Sequence, residues 1–546
     1  MKRLYSFLIV ALATTFVLVD NARALEVVNV THAAPEVRLA VQAAAGLANR
    51  DAPNVYVVMD DDDAFWLSEI VGDGPLQTTS VSEFVQDAAK RYGVILYPPG
   101  RIDDTLDTVV TLAGVLDAIP MVAVEPASGV HIKVDARSWS KARALAEAEA
   151  VLAKTSSLAV QESAMLAKGE LVDFIVKNRL FTNYLPLGCV PMTAEHTYLK
   201  RIVDNAPWRK PVRVYGYNTQ VRILGGFTFE AETDCLPTLG QIATQHARNL
   251  AFWSSREPIE KAFTQTSASD VSYDPSVSYV GLVYGDMDNI DFVQGFARKH
   301  MEIRADRCLK SAAANSSNDC FPLTWTLSPN LIRIAPDILR WYMRKAEKSG
   351  NDWFIFPPSG TLYSYPGMFN DADQETYVRQ MDADAALMDT SGSIHWEWFS
   401  KWTAAFGHYF PRFAGTGHKV KSFFLNNVPW PIPIASMALR GETYRVIGGP
   451  EEPVVAFKPT FNWAPGNPSG GLDASPKTCA NMLGLLPKGS VQYIYTIQTT
   501  DVADLFDLAD NLPEHVRLVS YEQLVSLALQ KEAYHSHHQD STMAQQ

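Results

Sequence analysis

The chain has 546 residues, of which 47% are apolar and 20% charged, and it carries a formal charge of −13. This composition excludes a disordered chain, a collagen-like repeat and a disulfide-dense miniprotein, and the length calls for two or more domains. The negative charge repels polyanions, so neither nucleic acid nor an anionic membrane surface is an expected partner.

Lys2 and Arg3 precede an apolar run from Leu4 to Val19, and Ala22-Arg23-Ala24 supplies the small-x-small pattern of a signal peptidase site. The run is short for a span of about 20 residues, so residues 1–24 read as a signal peptide that is removed. Cleavage takes away Lys2, Arg3, Arg23 and Asp20, a net +2, and leaves the chain at −15. The processed protein is expected to be secreted or extracellular and to make no membrane contact. In that oxidising setting Cys308 and Cys320 are expected to bridge across the polar segment between them, with Cys189 and Cys235 as a second pair and the remaining cysteine a buried free thiol. No C-x-x-C is present, against a zinc ribbon or a thioredoxin site. Sequons begin at Asn29 and Asn315, and Asn315, on the polar segment, is the expected glycan acceptor.

After the leader, short Val-rich runs (25–32, 54–59, 93–97, 120–125) alternate with helical patterns (35–48, 81–90, 105–117, 138–152). Strand and helix in alternation predict a small parallel α/β domain over 25–180. No G-x-G-x-x-G follows the first strand, so a dinucleotide site has no support. Asp60 to Asp63 read as a solvated acidic loop before a helix at 65–70. From 185 to 530 further strands are expected at 212–217, 278–284, 323–327, 353–356, 419–425, 443–447, 454–457, 491–497 and 516–519, and helices at 289–299, 335–348, 376–388, 395–406 and 500–508. About eight strands with interleaved helices predict a (β/α)-barrel-like C-terminal domain, an open doubly wound sheet being the alternative. The histidine-bearing stretch 531–546 reads as a disordered tail.

In either architecture chemistry gathers just beyond the carboxyl ends of the strands. The apolar strand ending at Tyr284 is followed by Gly285-Asp286-Met287-Asp288-Asn289. Two neighbouring carboxylates raise one another's pKa and divide into an acid and an anion, or else hold a divalent cation. Spacing by two puts Asp286 and Asp288 on one side if the strand continues. Asn289 reads as a substrate contact beside them, or as part of a turn that opens a helix. Glu230 and Glu397 are candidate partner carboxylates; Glu397 lies between Trp396 and Trp398, with an ordinary helical first turn as the alternative. Ser359, Tyr363, Tyr365, Trp463 and Asn427 are candidate sugar contacts, because loop aromatics offer ring faces and amides and hydroxyls offer hydrogen bonds. Ser359 reads equally as a turn residue. There is no G-x-S-x-G elbow, no P-loop and no H-E-x-x-H helix, and no cofactor is called for.

The segment Gly360-Thr361-Leu362-Tyr363-Ser364-Tyr365-Pro366 resembles the signature of the GxGYxYP family of putative glycoside hydrolases, with leucine in place of the second glycine. Residues 41–50 (VQAAAGLANR), 285–289 (GDMDN) and 323–329 (LTWTLSP) also resemble family segments, so the likeness spans most of the processed chain. The resemblance implies a small N-terminal α/β domain, a barrel-like C-terminal domain and a carbohydrate substrate. On these grounds the expected activity is hydrolysis of glycosidic bonds by carboxylates. A non-catalytic carbohydrate-binding protein and a metal-dependent hydrolase using Asp286 and Asp288 are the alternatives.

Overall fold

The computed structural model describes residues 24–71, 74–101, 103–125, 128–185, 187–188, 190–217, 221–223, 227–229, 236–314, 320–426, 436–437 and 440–543. Nearly all of the leader, together with Cys189, Glu230, Cys235, Asn315 and Asn427, lies outside the described residues.

The chain is a mixed α/β protein whose sheets are mostly parallel. In the first third, β1 (Leu25–Asn29) pairs in parallel with β2 (Val55–Val58) on one side and β3 (Leu76–Thr78) on the other. Strand β4 (Val94–Leu96) likewise sits between β5 (Ile119–Met121) and β6 (Ile132–Asp135). A third sheet has the order β12-β9-β7-β8 and is also parallel, with β7 (Leu158–Val160), β8 (Phe181–Asn183), β9 (Val212–Gly216) and β12 (Leu239–Ala243). A hairpin of β10 (Val221–Ile223) and β11 (Phe227–Phe229) lies between β9 and β12 in the chain. This third sheet crosses the expected boundary between 180 and 185, because β7 and β8 find their neighbours in strands that come after it.

The remainder carries two larger sheets. In one, β13 (Ser278–Tyr284) is flanked by β14 (Leu323–Thr326), β15 (Asp352–Ile355), β21 (Val491–Thr496) and β20 (Pro459–Trp463) in the order β15-β14-β13-β21-β20, with β22 (Val516–Val519) pairing with the first half of β13. The other has the order β16-β17-β19-β18, from β16 (Gly392–His395), β17 (Ser422–Leu425), β19 (Val454–Phe457) and β18 (Tyr444–Ile447), and only β18 runs antiparallel. A parallel bridge between Phe356 and Ser393 joins the two sheets. Every residue of β13, β14, β15, β16, β17 and β21 is buried, as expected of parallel strands covered on both faces.

Burial on this scale forces polar satisfaction inside the sheet. Arg304 and Asp352 are both fully buried and pair at 2.5 Å, and Trp325 Nε1 donates to the same carboxylate at 2.7 Å. The bridge Cys308–Cys320 ties the helix Phe296–Ala314 to the start of β14, as the sequence led one to expect, and Cys479 is a buried free thiol.

Three sequence expectations change. Asp60–Asp63 is not a solvated loop: Asp60 Oδ1 accepts from the N–H groups of Asp62 and Asp63, and a helix runs Asp61–Val71. Carboxylates in a first helical turn favour the macrodipole, and this turn is docked, because Asp60 pairs with Arg248 at 2.7 Å and Asp62 with Arg298 at 2.9 Å. The expected helix at 395–406 starts four residues late, since His395 still pairs with β17 as the end of β16, and irregular helical turns run over 399–413. The expected tail at 531 continues a helix, Tyr521–Met543, held by Tyr444 Oη donating to Glu532 at 2.9 Å.

Candidate active site

The parallel strands deliver their carboxyl ends to one edge, and the sequence there decides what each loop can do. β13 stops at Gly285, where a Cβ would lie 1.9 Å from Tyr495 Oη, so only glycine lets that phenol in. The chain then turns through Asp286 at φ 65°, the left-handed region. The strand has therefore ended before the two aspartates, and a turn rather than strand alternation sets their positions.

Asp286 is fixed from three directions. Its N–H donates to Tyr495 Oη at 3.2 Å, Tyr495 Oη donates back to Oδ1 at 3.2 Å, and Gln498 N donates to Oδ2 at 3.4 Å. Met287 is buried, with its N–H on Thr326 Oγ1 at 3.3 Å and its carbonyl accepting from Ser328 N at 3.1 Å. Asn289 caps the short helix Ile290–Gln294 by accepting from Asp291 N at 3.1 Å, so its side-chain oxygen is engaged locally. Both aspartates keep a solvent-open edge. Burial pushes the Asp286 carboxyl up to about 6, opposed by the Gln498 and Tyr495 hydrogen bonds. Burial, and then the charge of Asp286, push Asp288 up to about 7. Two adjacent carboxyls in this range share protons near neutrality.

The signature loop follows β15. Gly360 has φ 107°, and a Cβ there would meet Met381 Cε at 2.5 Å, which explains the first glycine of the motif. Leu362, at the place of the second glycine, is buried against β12, where Gly240 makes room: a Cβ on Gly240 would lie 2.5 Å from Leu362 Cδ1. Ser359 is fully buried; its Oγ accepts from Trp396 N and donates to Trp396 O, both at 2.8 Å. It is thus a clip between the loops after β15 and β16 rather than an exposed contact. Tyr377 Oη, from the helix Asp371–Met388, accepts from Leu362 N at 3.0 Å and donates to Ser359 O at 2.9 Å. Asn330 Nδ2 donates to Thr361 O at 2.7 Å, linking this loop to the one after β14.

The motif tyrosines diverge in environment. Tyr363 pairs through its backbone with Gln241 of β12 at 2.9 Å and packs its ring 5.2 Å from Trp396, and both rings remain partly exposed. Tyr365 is 4% exposed, with its ring 5.9 Å from that of Trp398. Glu397 is buried: its Oε2 accepts from Gly367 N at 2.7 Å and its Oε1 from Trp398 N at 3.0 Å, with His395 Nε2 at 3.3 Å. Oε2 thereby anchors the chain after the signature, while Oε1 is engaged by the next residue's N–H. Trp463 offers no stacking platform, being fully buried as the last residue of β20 with Nε1 donating to Ala474 O at 2.8 Å. Asn426, at the end of β17, accepts from Asn462 Nδ2 at 3.0 Å.

The structure thus gathers Asp286, Asp288 and Asn289 with Tyr495 and Gln498, and separately Ser359, Tyr363, Tyr365 and Glu397 with Trp396 and Trp398. The backbone bond from Ser328 to Met287 and the side-chain bond from Asn330 to Thr361 relay between them. Tyr495, Gln498 and Trp396 were not singled out from the sequence; Tyr495 lies in an alternating strand pattern like any core tyrosine. Among the described residues no group of three or more His, Cys, Asp or Glu side chains is arranged to hold a metal ion, and no helix is long and apolar enough to cross a membrane.

Residues 276–403 match the family model described as the GxGYxYP putative glycoside hydrolase C-terminal domain. No curated protein matches the sequence. Among solved structures, a putative hydrolase from Bacteroides thetaiotaomicron VPI-5482 superposes with a TM-score of 0.70 at 19% identity, covering 93% of this chain and 95% of that one, which shows a shared fold. The peptidoglycan deacetylase PdaC from Bacillus subtilis (TM-score 0.25, 11% identity, 49% of this chain and 98% of that one) and a putative polysaccharide deacetylase from Mycobacterium smegmatis (TM-score 0.29, 10% identity, 48% and 96%) are too distant to carry an argument. The Asp286–Asn289 turn and the signature loop both fall within the matched segment, so over residues 276–403 the chain is similar to the GxGYxYP putative glycoside hydrolase C-terminal domain.

Proposed function

We propose that the protein is a secreted glycoside hydrolase whose working carboxylates are Asp286 and Asp288. The observation that carries this reading is the pair itself: two adjacent, partly open carboxyls at the carboxyl end of β13, both raised toward neutrality, with one of them rigidly held. Asp286, fixed by Tyr495 and Gln498, is the group suited to stay ionised and stabilise positive charge at the anomeric carbon or activate water. Asp288, with the higher pKa, is suited to keep its proton and deliver it to the departing glycosidic oxygen. The exposed edges of Tyr363 and Trp396 supply a surface for a sugar ring. We further infer that β13 to β17 and β19 to β21 wrap as an irregular barrel; Tyr493 Oη donating to Leu425 O and Asn462 bonding Asn426 draw β20 and β21 toward β17.

The test is release of reducing ends from a broad panel of polysaccharides and glycoprotein glycans, with Asp286→Asn and Asp288→Asn run beside the wild type. Activity lost in both variants at an unchanged melting temperature supports the reading. Glycan binding without turnover replaces it with a carbohydrate-binding protein. Activity abolished by a chelator and restored by a divalent ion replaces it with a metal-dependent hydrolase.

A further inference from the structure

A concavity of about 350 Å³ is lined by residues at the β12-β9-β7-β8 sheet together with Thr361 and Leu362 of the signature loop. Its lining includes Arg209, Lys210, Arg213 and Arg333 and no carboxylate, in a chain whose overall charge is −13. Arg333 alone of these four has an ion pair among the described residues, its Nη2 lying 2.6 Å from Asp384 Oδ1. Asp384 is fully buried and also accepts from Gln380 Nε2 at 2.9 Å and Thr361 Oγ1 at 3.2 Å, so its charge is turned into the protein. The other terminal nitrogen, Arg333 Nη1, is buried with no hydrogen-bond partner. The Arg333 side chain as a whole nevertheless keeps 34% of its surface open. Four cations lining one cavity with no carboxylate among them favour an anion there.

We propose that this cavity binds an oxyanion, a sulfate, phosphate or carboxylate, either free or borne by a saccharide. Guanidinium groups suit such ligands because their paired N–H donors match the oxygens of the anion. The volume falls in the range of small-molecule sites, about 300–1,000 Å³. Thr361 and Leu362 form part of the wall, so an occupant would touch the loop that carries Tyr363. The proposal stands on residues separate from Asp286 and Asp288 and does not depend on the glycosidase reading.

Isothermal titration of the full chain at low ionic strength with inorganic phosphate, sulfate, galacturonate and uncharged galactose tests it. Saturable binding of at least one of the anions and none of galactose is expected. Arg213→Gln, and independently the exposed double variant Arg209→Glu/Lys210→Glu, are expected to weaken that binding by about tenfold or more, as loss of a hydrogen bond to a charged group does. Added sodium chloride weakens it too. Tighter binding of galacturonate than of sulfate or phosphate assigns the oxyanion to a saccharide, and the reverse order assigns it to a free ion; both support the site. No saturable binding of any anion, galactose binding as well as galacturonate, or unchanged affinity in both variants that retain the wild-type melting temperature overturns the proposal.

Discussion

Asp286 occupies the left-handed region at φ 65° without the excuse of glycine, and residues held there cost on the order of 1–3 kcal/mol that the surroundings must offset. Here Tyr495 does so, by bonding both the backbone N–H and the side chain of the same residue. The pair Asp286 and Asp288 then titrates as a unit, with values of about 6 and about 7. The singly protonated form is most populated between them. Activity is therefore expected to fall as pH drops below about 6, when the base takes a proton, and as it rises above about 7, when the acid loses one. A bell-shaped profile of kcat/KM is the measurement. Asp288→Asn should lower kcat by about 10²–10⁴-fold and remove the alkaline limb, and an alkaline limb that survives this change places the acid elsewhere. A different residue-scale effect is expected in the sheet. Arg304→Met leaves the buried Asp352 carboxyl with Trp325 and Ser349 as its remaining side-chain partners among the described residues. Breaking a buried pair in this way costs about 3–5 kcal/mol, readable as a lowered denaturation midpoint.

At the scale of elements, the signature loop shows how much the sequence reveals and where it stops. The motif itself was legible, and so was its place after a buried strand, because Trp353 to Phe356 reads as an apolar run into Pro357-Pro358. The Asp286–Asn289 turn was legible for the same reason. What the sequence does not announce is partnership at long range. Leu362 departs from the family pattern, and its explanation is Gly240, on a strand far away in the chain. Glu397 and Trp463 look like site residues because acids and tryptophans on loops usually are, yet backbone amides claim the first and a closed core the second. The helix expected at 395–406 starts late, at 399, because aromatic spacing reports burial and not the strand β16, which holds the chain to His395. The Leu362–Gly240 fit makes a prediction of its own. Gly240→Ala alone overpacks the contact and should cost about 1–3 kcal/mol. Leu362→Gly removes a buried side chain and should cost about 2–5 kcal/mol. In the double variant the alanine enters vacated space, so its cost should nearly vanish. A double-mutant cycle by chemical denaturation measures this, and simple additivity of the two costs would contradict the proposed contact.

Across the whole molecule, the first third is fastened to the sheets that carry the site. Trp66 Nε1 donates to Gln294 O at 2.8 Å, and its ring lies 5.3 Å from that of Trp341 and 6.4 Å from that of Trp253, so one core runs through both parts. Beside it Asn249 bonds both the N–H and the carbonyl of Val57, at 2.9 and 2.7 Å, and donates to Asp63 Oδ1 at 2.8 Å. Asp63 is 2% exposed, and burial, followed by the charge of Asp60, pushes its carboxyl from 3.8 up to about 7. A raised acid reverses the usual dependence. Between these two values the folded protein holds a proton that the unfolded chain has released. The stabilisation is therefore complete below 3.8, declines as pH rises, and is lost above about 7. Other buried acids, Asp173 among them, lean the same way, so the absolute stability curve cannot isolate this one. The difference between wild type and Asp63→Asn can. The variant loses hydrogen bonding by an amount that does not vary with pH, whereas the proton-linked part exists only in the wild type. The wild type's advantage in melting temperature should thus be greatest near pH 4 and shrink steadily to about pH 7. A difference that stays constant across that range would mean that Asp63 titrates in the folded protein as it does in the unfolded chain, and that the junction around Asn249 is held by its neutral hydrogen bonds alone.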